Sequence, residues 1–311
     1  MPAVLARKSV NRKLRKRLKA KHVKTLHMLR GVARQIDDKA KVAARVAAAH
    51  VEANDLTRAQ AEVALLATGV MGLLLLSFRR LAHWSWSTTV EAFAREVPRE
   101  PLFELAQQQE PAPGDEPEPP PADDDDPGLD VELMTLAAWT AFLAGGLFAQ
   151  PRPEQVNRII YAPVEGVRWP DRLKAWQRRS ELQMGQTAFS RALQVRQGIL
   201  TREALQRAIL LDMAPMVLAA QRIAEHEGLR IAEAIQRAGY ARLGPLLAGV
   251  MILNPVLFNP SHNARPSHRR RAGTIYWTEP GRQPNIVDMP LVPDEPNCYC
   301  WDAPVLALEL A

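Results

Sequence analysis

An acidic, proline-rich stretch divides the chain and limits what it can fold into. Residues Glu110 to Gly128, EPAPGDEPEPPPADDDDPG, show no apolar periodicity, and their prolines are incompatible with a helix interior. Such a composition cannot bury enough apolar area to offset the entropy of ordering, which predicts an extended, disordered linker. Structured regions are therefore expected on either side, as a chain of 311 residues also suggests.

The first fifty residues are strongly cationic. Lysines and arginines run from Arg7 to Arg45, opposed only by Asp37 and Asp38, and the alanine-rich Lys41 to Ala53 predicts a long helix. A dense cationic arm is typical of a polyanion partner, because neutralised phosphates release their condensed counterions. We predict DNA contacts at Arg12, Lys13, Arg15, Lys16, Arg17, Lys19 and Lys21. The alternative is a solvated helical tail that keeps the protein soluble.

An apolar run follows the basic segment. Residues Val63 to Phe78 carry no charge and are flanked by Arg79, Arg80 and two tryptophans. The run is shorter than the roughly 20 residues that span a bilayer, which favours a buried helix in a bundle. A second apolar run, Leu133 to Ala149, is the predicted antiparallel partner. Because arginine and tryptophan are typical interfacial anchors, a membrane-inserting segment is the alternative.

Three helices are predicted in the central region. The first covers Asp171 to Gly198, with Asp171 as its N-cap and Gly198 as its stop, the second starts at the N-cap Thr201, and the third covers Gln221 to Tyr240. Apolar residues at near-helical intervals predict the buried face of the first helix: Leu173, Trp176, Leu182, Phe189 and Leu193.

The residues after Pro260 predict a small irregular domain. The run Gly273 to Trp277 is β-branched and aromatic, and Pro304 to Leu310 could close a sheet against it. The two cysteines, Cys298 and Cys300, form a single Cys-x-Cys, which does not describe a disulfide-stapled secreted protein and indicates a reducing compartment.

We interpret the cysteines as packing thiols. A zinc site with His262 and His268 is an alternative, although zinc sites usually use Cys-x-x-Cys. A disulfide to another chain and a Cys-His nucleophile are further alternatives; no acidic residue that would orient the histidine accompanies the pair.

The tail also carries a family resemblance. ARPSHRRRAGTIYW (Ala264 to Trp277), followed by the Pro-x-x-Pro-Asn-Cys-x-Cys of Pro293 to Cys300, resembles the C-terminal signature of phage head-morphogenesis proteins of the Mu F-like minor capsid type. The resemblance extends more thinly from about Asp171, where Glu227 matches the family glutamate. Glu225 and His226 depart from the usual arginine and threonine, and Ser261 replaces the usual aspartate. From their side-chain types alone, Glu225 and Glu227 predict a solvated face.

The resemblance implies a structural protein with no enzymatic role. It would dock on portal or major capsid protein through a tail whose shape depends on His268, Arg269, Gly273, Tyr276, Trp277, Pro296, Asn297, Cys298 and Cys300. The basic arm would contact packaged DNA, and the protein would act in the host cytoplasm during assembly and reside in the virion, in the head interior or at the portal vertex. No cofactor and no metal are expected.

The sequence predicts a mainly α fold class. Helical N-terminal and central regions would precede a small irregular α+β C-terminal domain, with segments at 1–108, 109–130, 131–260 and 261–311. Two functional alternatives come from other classes: a membrane-active ejection-type protein that inserts residues 63–78, and a DNA-processing enzyme that uses the C-terminal histidines and cysteines.

Overall fold

The computed structural model describes residues 2–108, 132, 134–253, 266–290 and 300–307. The predicted acidic linker lies outside these residues. The helices are α1 (Pro2–Glu52), α2 (Leu56–Glu96), α3 (Arg99–Gln108), α4 (Leu136–Gly145), α5 (Pro153–Ile160), α6 (Trp169–Arg196), α7 (Arg202–Ala241) and α8 (Pro266–Arg271). The strands are β1 (Leu247–Leu253), β2 (Ile275–Trp277) and β3 (Trp301–Leu306). The predicted mainly α class with a small α+β C-terminal part is confirmed.

Local signals place several of these helix ends. The carboxylate of Asp55 accepts a hydrogen bond from the backbone N–H of Arg58 (3.1 Å) at the start of α2, and the predicted N-cap Thr201 accepts one from Ala204 (3.2 Å). Gly198, with φ of +70°, follows the end of α6 as predicted. The N-cap of α6 is Arg168 and not Asp171, because the helix begins earlier, at Trp169, and places Asp171 in its first turn.

The second and third central helices are one continuous helix. α7 runs from Arg202 to Ala241 with Pro215 in its interior. A proline removes one backbone hydrogen bond and usually breaks or kinks a helix. Here Met213, Met216 and Val217 are buried around it, so tertiary packing holds the helix together across the proline.

The strands form an antiparallel sheet in the order β2-β1-β3. Val250 in the central strand pairs with Tyr276 on one side and Pro304 on the other. The outer strand β2 confirms the strand expected at Gly273 to Trp277. β3 begins earlier than expected, at Trp301, and overlaps the strand expected at Pro304 to Leu310 only as far as Leu306. The central strand was not expected, and it lies before residue 261, so the sheet draws on residues from both sides of that predicted boundary.

The chain divides into two compact units. Unit 1 comprises Met1–Val23, Ala82–Pro153 and Ala232–Ala311, and unit 2 comprises Lys24–Leu81 and Glu154–Ile231. The divisions fall inside α1, α2 and α7 and after the first residue of α5, so each unit combines segments that are distant in sequence.

The core of unit 1 is aromatic. The Phe93 ring lies 5.2 Å from that of Phe148 and 6.1 Å from that of Tyr240. Trp86 donates a hydrogen bond from Nε1 to the carbonyl of Phe148 (3.1 Å). Through Phe148, the second apolar run therefore contacts the C-terminal part of α2 within this unit.

The core of unit 2 includes the apolar run of α2. Val63, Leu66, Val70, Leu74 and Phe78 are buried at helical spacing, and Trp169 packs edge-on against Phe78 with 5.4 Å between ring centroids. Among the described residues, α2 is the one helix long and apolar enough to cross a membrane, a criterion that core helices of soluble proteins also meet.

The predicted core of α6 is largely wrong. Only Leu173 is buried, whereas Trp176, Leu182, Phe189 and Leu193 are 37%, 67%, 65% and 47% exposed. The face that packs inward carries mostly smaller side chains after the first turns: Trp169, Leu173, Ser180, Met184, Ala188 and Ala192. Small residues let neighbouring helices pack closely, so this face is buried and the face with the larger apolar residues is exposed.

Candidate nucleic-acid interface

In unit 1 the first helix is packed against the rest of the unit and is not a projecting arm. Leu14 and Leu18 are buried, and their spacing of four residues places them on one face of an amphipathic helix. Asn11 accepts a hydrogen bond at Oδ1 from the backbone N–H of Leu306 in β3 (3.1 Å), and Arg15 lies with Nη1 3.8 Å from the sulfur of Met251 in β1. The N-terminal helix is therefore attached to the C-terminal sheet.

Four of the predicted DNA-contacting residues line the opposite face of this helix. Arg12, Lys13, Lys16 and Lys19 are exposed. At 3.6 residues per turn their positions point away from Leu14 and Leu18, and they extend over about 10 Å along the helix axis. A rigid helix thus presents a compact cationic face, which we call the α1 cationic face.

The other three predicted contacts lie elsewhere. Arg17 is exposed but pairs with Glu96 of α2, which neutralises part of its charge. Arg15 is half-buried and donates to the carbonyl of Asn11 (3.1 Å). Lys21 is only 5% exposed, so the prediction that it contacts DNA is wrong: its ammonium group points into the unit.

Lys21 belongs to a buried polar cluster. Its Nζ donates to Oγ1 of Thr89 (2.9 Å) and to Oε1 of Gln236 (2.5 Å). Burial lowers the pKa of Lys21 to about 8, although the charges of Glu233 and Asp302 act to raise it. The lysine is therefore held by hydrogen bonds and by nearby carboxylates in a poorly solvated position.

Asp302 of β3 forms the other side of the cluster. Its carboxylate pairs with Arg237, and Gln236 donates from Nε2 to its Oδ1 (3.3 Å). Burial raises the pKa of Asp302, while the charge of Arg237 acts to lower it. Burial also raises the pKa of Tyr240, whose hydroxyl donates to the Asp302 carbonyl (3.2 Å).

His22 completes the cluster beside Trp301. Its Nδ1 lies 3.1 Å from Oε1 of Glu233, and its ring stacks on Trp301 with 6.1 Å between centroids. The cluster joins α1, α2, α7 and β3 mainly through hydrogen bonds among its own members. This pattern is typical of a buried network that fixes how elements pack, and it offers no exposed reactive group.

The tail residues that the resemblance implies for docking differ in their exposure and surroundings. Arg269 is exposed, Gly273 takes a φ of +85° in a turn, and Trp277 is half-buried with the guanidinium of Arg282 3.3 Å from its ring centroid. Tyr276 and Cys300 are brought together in a small apolar cluster with Ile252. Pro296, Asn297, Cys298 and the side chain of His268 lie outside the described residues, as does the zinc candidate His262.

One further prediction is corrected in unit 2. Glu227 is buried, not solvated, and Arg230 donates from Nε to its Oε2 (2.7 Å). Burial acts to raise the pKa of Glu227, but the nearby ring of His226, whose Nδ1 lies 3.8 Å from Oε1, and the hydrogen bond and charge of Arg230 outweigh it, and the pKa is lowered. Glu225 is half-buried.

The buried clusters carry a signal that the sequence analysis missed. Gln236 and Arg237 follow Glu233 by three and four residues in an otherwise apolar part of α7. Polar residues on the apolar face of an amphipathic helix indicate a buried hydrogen-bond network, because charged groups are seldom buried without partners.

Comparison with known proteins identifies no relative. No family model matches the chain, and neither a curated protein nor a solved structure matches it significantly.

Proposed function

We propose that this chain is a minor head protein of a phage or prophage that contacts packaged DNA through the α1 cationic face and docks on portal or major capsid protein. The observation that carries the DNA contact is the solvent-facing set Arg12, Lys13, Lys16 and Lys19 on a packed helix. The resemblance of the tail supports the assignment to the phage head. The role is structural, without catalysis, in the virion and in the host cytoplasm during assembly.

The physical basis of the DNA contact is electrostatic. Lysine and arginine on one helix face can neutralise successive phosphates without reading bases, so binding should be independent of sequence and sensitive to salt. Because α1 is anchored through Leu14, Leu18 and Asn11, these cations are held close together before DNA arrives.

The test is a charge-neutral variant of the face. Replacing Arg12, Lys13, Lys16 and Lys19 together by Gln should weaken binding to a 30-bp duplex at least about tenfold and lower the slope of log K against log salt by about 3 to 4. The matched control replaces four other exposed arginines, Arg45, Arg158, Arg207 and Arg222, and removes the same charge. Equal losses in the two variants would leave only a net-charge effect and contradict the proposal.

A membrane-active protein is the second candidate. It is favoured by the length and apolar composition of α2, on which Leu65 and Leu76 remain exposed. Flotation of the purified protein with lipid vesicles, lost on changing Leu65 and Leu76 to Gln, would support it over the head protein.

A further inference from the structure

The large apolar residues of α6 form a regular seam on the outside of unit 2. Leu182, Phe189 and Leu193 are 67%, 65% and 47% exposed. Their intervals of seven and four residues place them within one narrow stripe of the helix. Monomeric proteins expose scattered single apolar residues, whereas an aligned group of this size marks an interaction site.

These three residues belong to a longer stripe that has the spacing of the a and d positions of a coiled coil. Alternate steps of four and three residues connect Ala175, Arg179, Leu182, Gln186, Phe189, Leu193 and Arg196. Each of these residues is exposed. A stripe of a and d positions alone is the narrow surface that a single partner helix covers, whereas an interfacial membrane helix presents a broader apolar face. We call these seven residues the α6 seam.

The neighbouring helix leaves the seam uncovered. Asp212 of α7 pairs with Arg191 and accepts a hydrogen bond from Thr187 (3.0 Å), so α7 lies beside α6 at this level. At 3.6 residues per turn, Thr187 and Arg191 lie about 160° around α6 from Phe189, so α7 packs against the side of α6 opposite the seam.

Positive charges at the ends of the α6 seam indicate which kind of helix can bind there. Arg179 and Arg196 are exposed near its two ends. Within the described residues, Arg196 makes no ion pair. A second copy of this chain, paired in either direction, would bring arginine against arginine at the ends of the seam, which costs free energy.

We propose that the α6 seam binds an amphipathic helix of a partner protein whose apolar residues face Leu182, Phe189 and Leu193 and whose carboxylates face Arg179 and Arg196. This inference goes beyond the DNA contact, which uses another face of another helix. It assigns a second docking surface, outside the tail, and specifies its partner as an acidic helix.

The experiment uses the full-length chain and two synthetic peptides of about three heptads. One fluorescent peptide has leucines at its a and d positions and glutamates placed opposite Arg179 and Arg196, and its twin has lysines in place of those glutamates. We expect saturable anisotropy for the acidic peptide and binding at least about tenfold weaker for its twin. Phe189→Gln should weaken the acidic peptide by a similar factor.

Leu65→Gln, at an apolar position 63% exposed on α2, is the matched control and should change binding less than about twofold. Because Phe189 is exposed, its variant should retain the thermal midpoint and DNA affinity of the wild type, which separates this test from that of the proposed function. Equal binding of both peptides, or of neither, would overturn the proposal. So would dimerisation of the chain, or flotation with phosphatidylglycerol vesicles, that depends on Phe189.

Discussion

At the scale of single residues, the chain buries charges in places where its sequence suggests solvation. Lys21 and Asp302 both lie in the interior of unit 1, each with hydrogen-bonding partners. The ion pair of Asp302 with Arg237 contributes less to net stability than its attraction suggests, because both ions lose hydration. Its removal from one side is nevertheless damaging, since the remaining charge is then uncompensated.

The lowered pKa of Lys21 predicts a specific pH dependence of stability. Between its folded value of about 8 and its ordinary 10.5, the unfolded state holds more protons, so the free energy of unfolding should rise with pH in this window. From pH 7.5 to 9.5 the gain should be about 2 kcal/mol and should be missing from Lys21→Met.

Urea unfolding at the two pH values measures this gain. The window stops below pH 10 because the raised pKa of Tyr240 makes stability fall once the unfolded tyrosine ionises. Lys13→Met, from the exposed face of the same helix, is the control for loss of one lysine. A wild type and a Lys21→Met variant with the same pH slope would contradict the prediction.

Cys300 tests the interpretation of the cysteines as packing thiols. Its sulfur is buried with Ile252 and Tyr276, so Cys300→Ser should lower the free energy of unfolding by about 1 to 3 kcal/mol through the added polar hydroxyl. Urea denaturation gives the value, and metal analysis of both proteins accompanies it. Stoichiometric zinc that is present in the wild type and absent from the variant would favour the zinc alternative.

At the scale of elements, β1 is the central strand of the sheet and leaves no room for a side chain at Gly249. A Cβ there would lie 2.6 Å from the carbonyl oxygen of Tyr276 in the paired strand. Since backbone cannot move aside cheaply, Gly249→Ala should destabilise the protein by about 1 to 3 kcal/mol.

Gly69→Ala on α2 is the matched control and should have the opposite sign. No atom lies within 4 Å of the Cβ it would add, and alanine is the better helix former by about 0.5 to 1 kcal/mol. Thermal unfolding of both variants measures the contrast. Equal stability of Gly249→Ala and the wild type would show that the sheet tolerates a wider strand separation.

Sequence reasoning recovered the elements better than their packing. The long first helix, the N-cap Thr201, the stop at Gly198 and the outer strand β2 follow from local signals, which act over a few residues. The buried face of α6 could not be identified from local sequence, because contacts with helices distant in sequence decide which face is buried. For the same reason the α1 cationic face was predicted in part, while the burial of Lys21 was missed.

At the scale of the whole molecule, each compact unit is assembled from discontinuous segments. Unit 1 requires the start of the chain, because Leu14, Leu18 and Lys21 fill its interior, and Asn11 hydrogen-bonds to β3. The N-terminal segment therefore has two roles: its inner face completes a core, and its outer face carries the cations that we propose contact DNA.

Deleting residues 1–23 should therefore unfold unit 1. The deletion removes two buried leucines and the lysine that faces Glu233 and Asp302, and each such loss typically costs several kcal/mol against a total stability of about 5 to 15 kcal/mol. We expect the near-ultraviolet circular dichroism, to which the buried Trp139 and Trp301 contribute, to fall strongly and DNA binding to disappear with it. The four-residue charge variant of the α1 cationic face should lose DNA binding while keeping that signal, because its side chains point to solvent. A truncated chain that still unfolds cooperatively with a native near-ultraviolet spectrum would show instead that the segment is a dispensable, solvated tail.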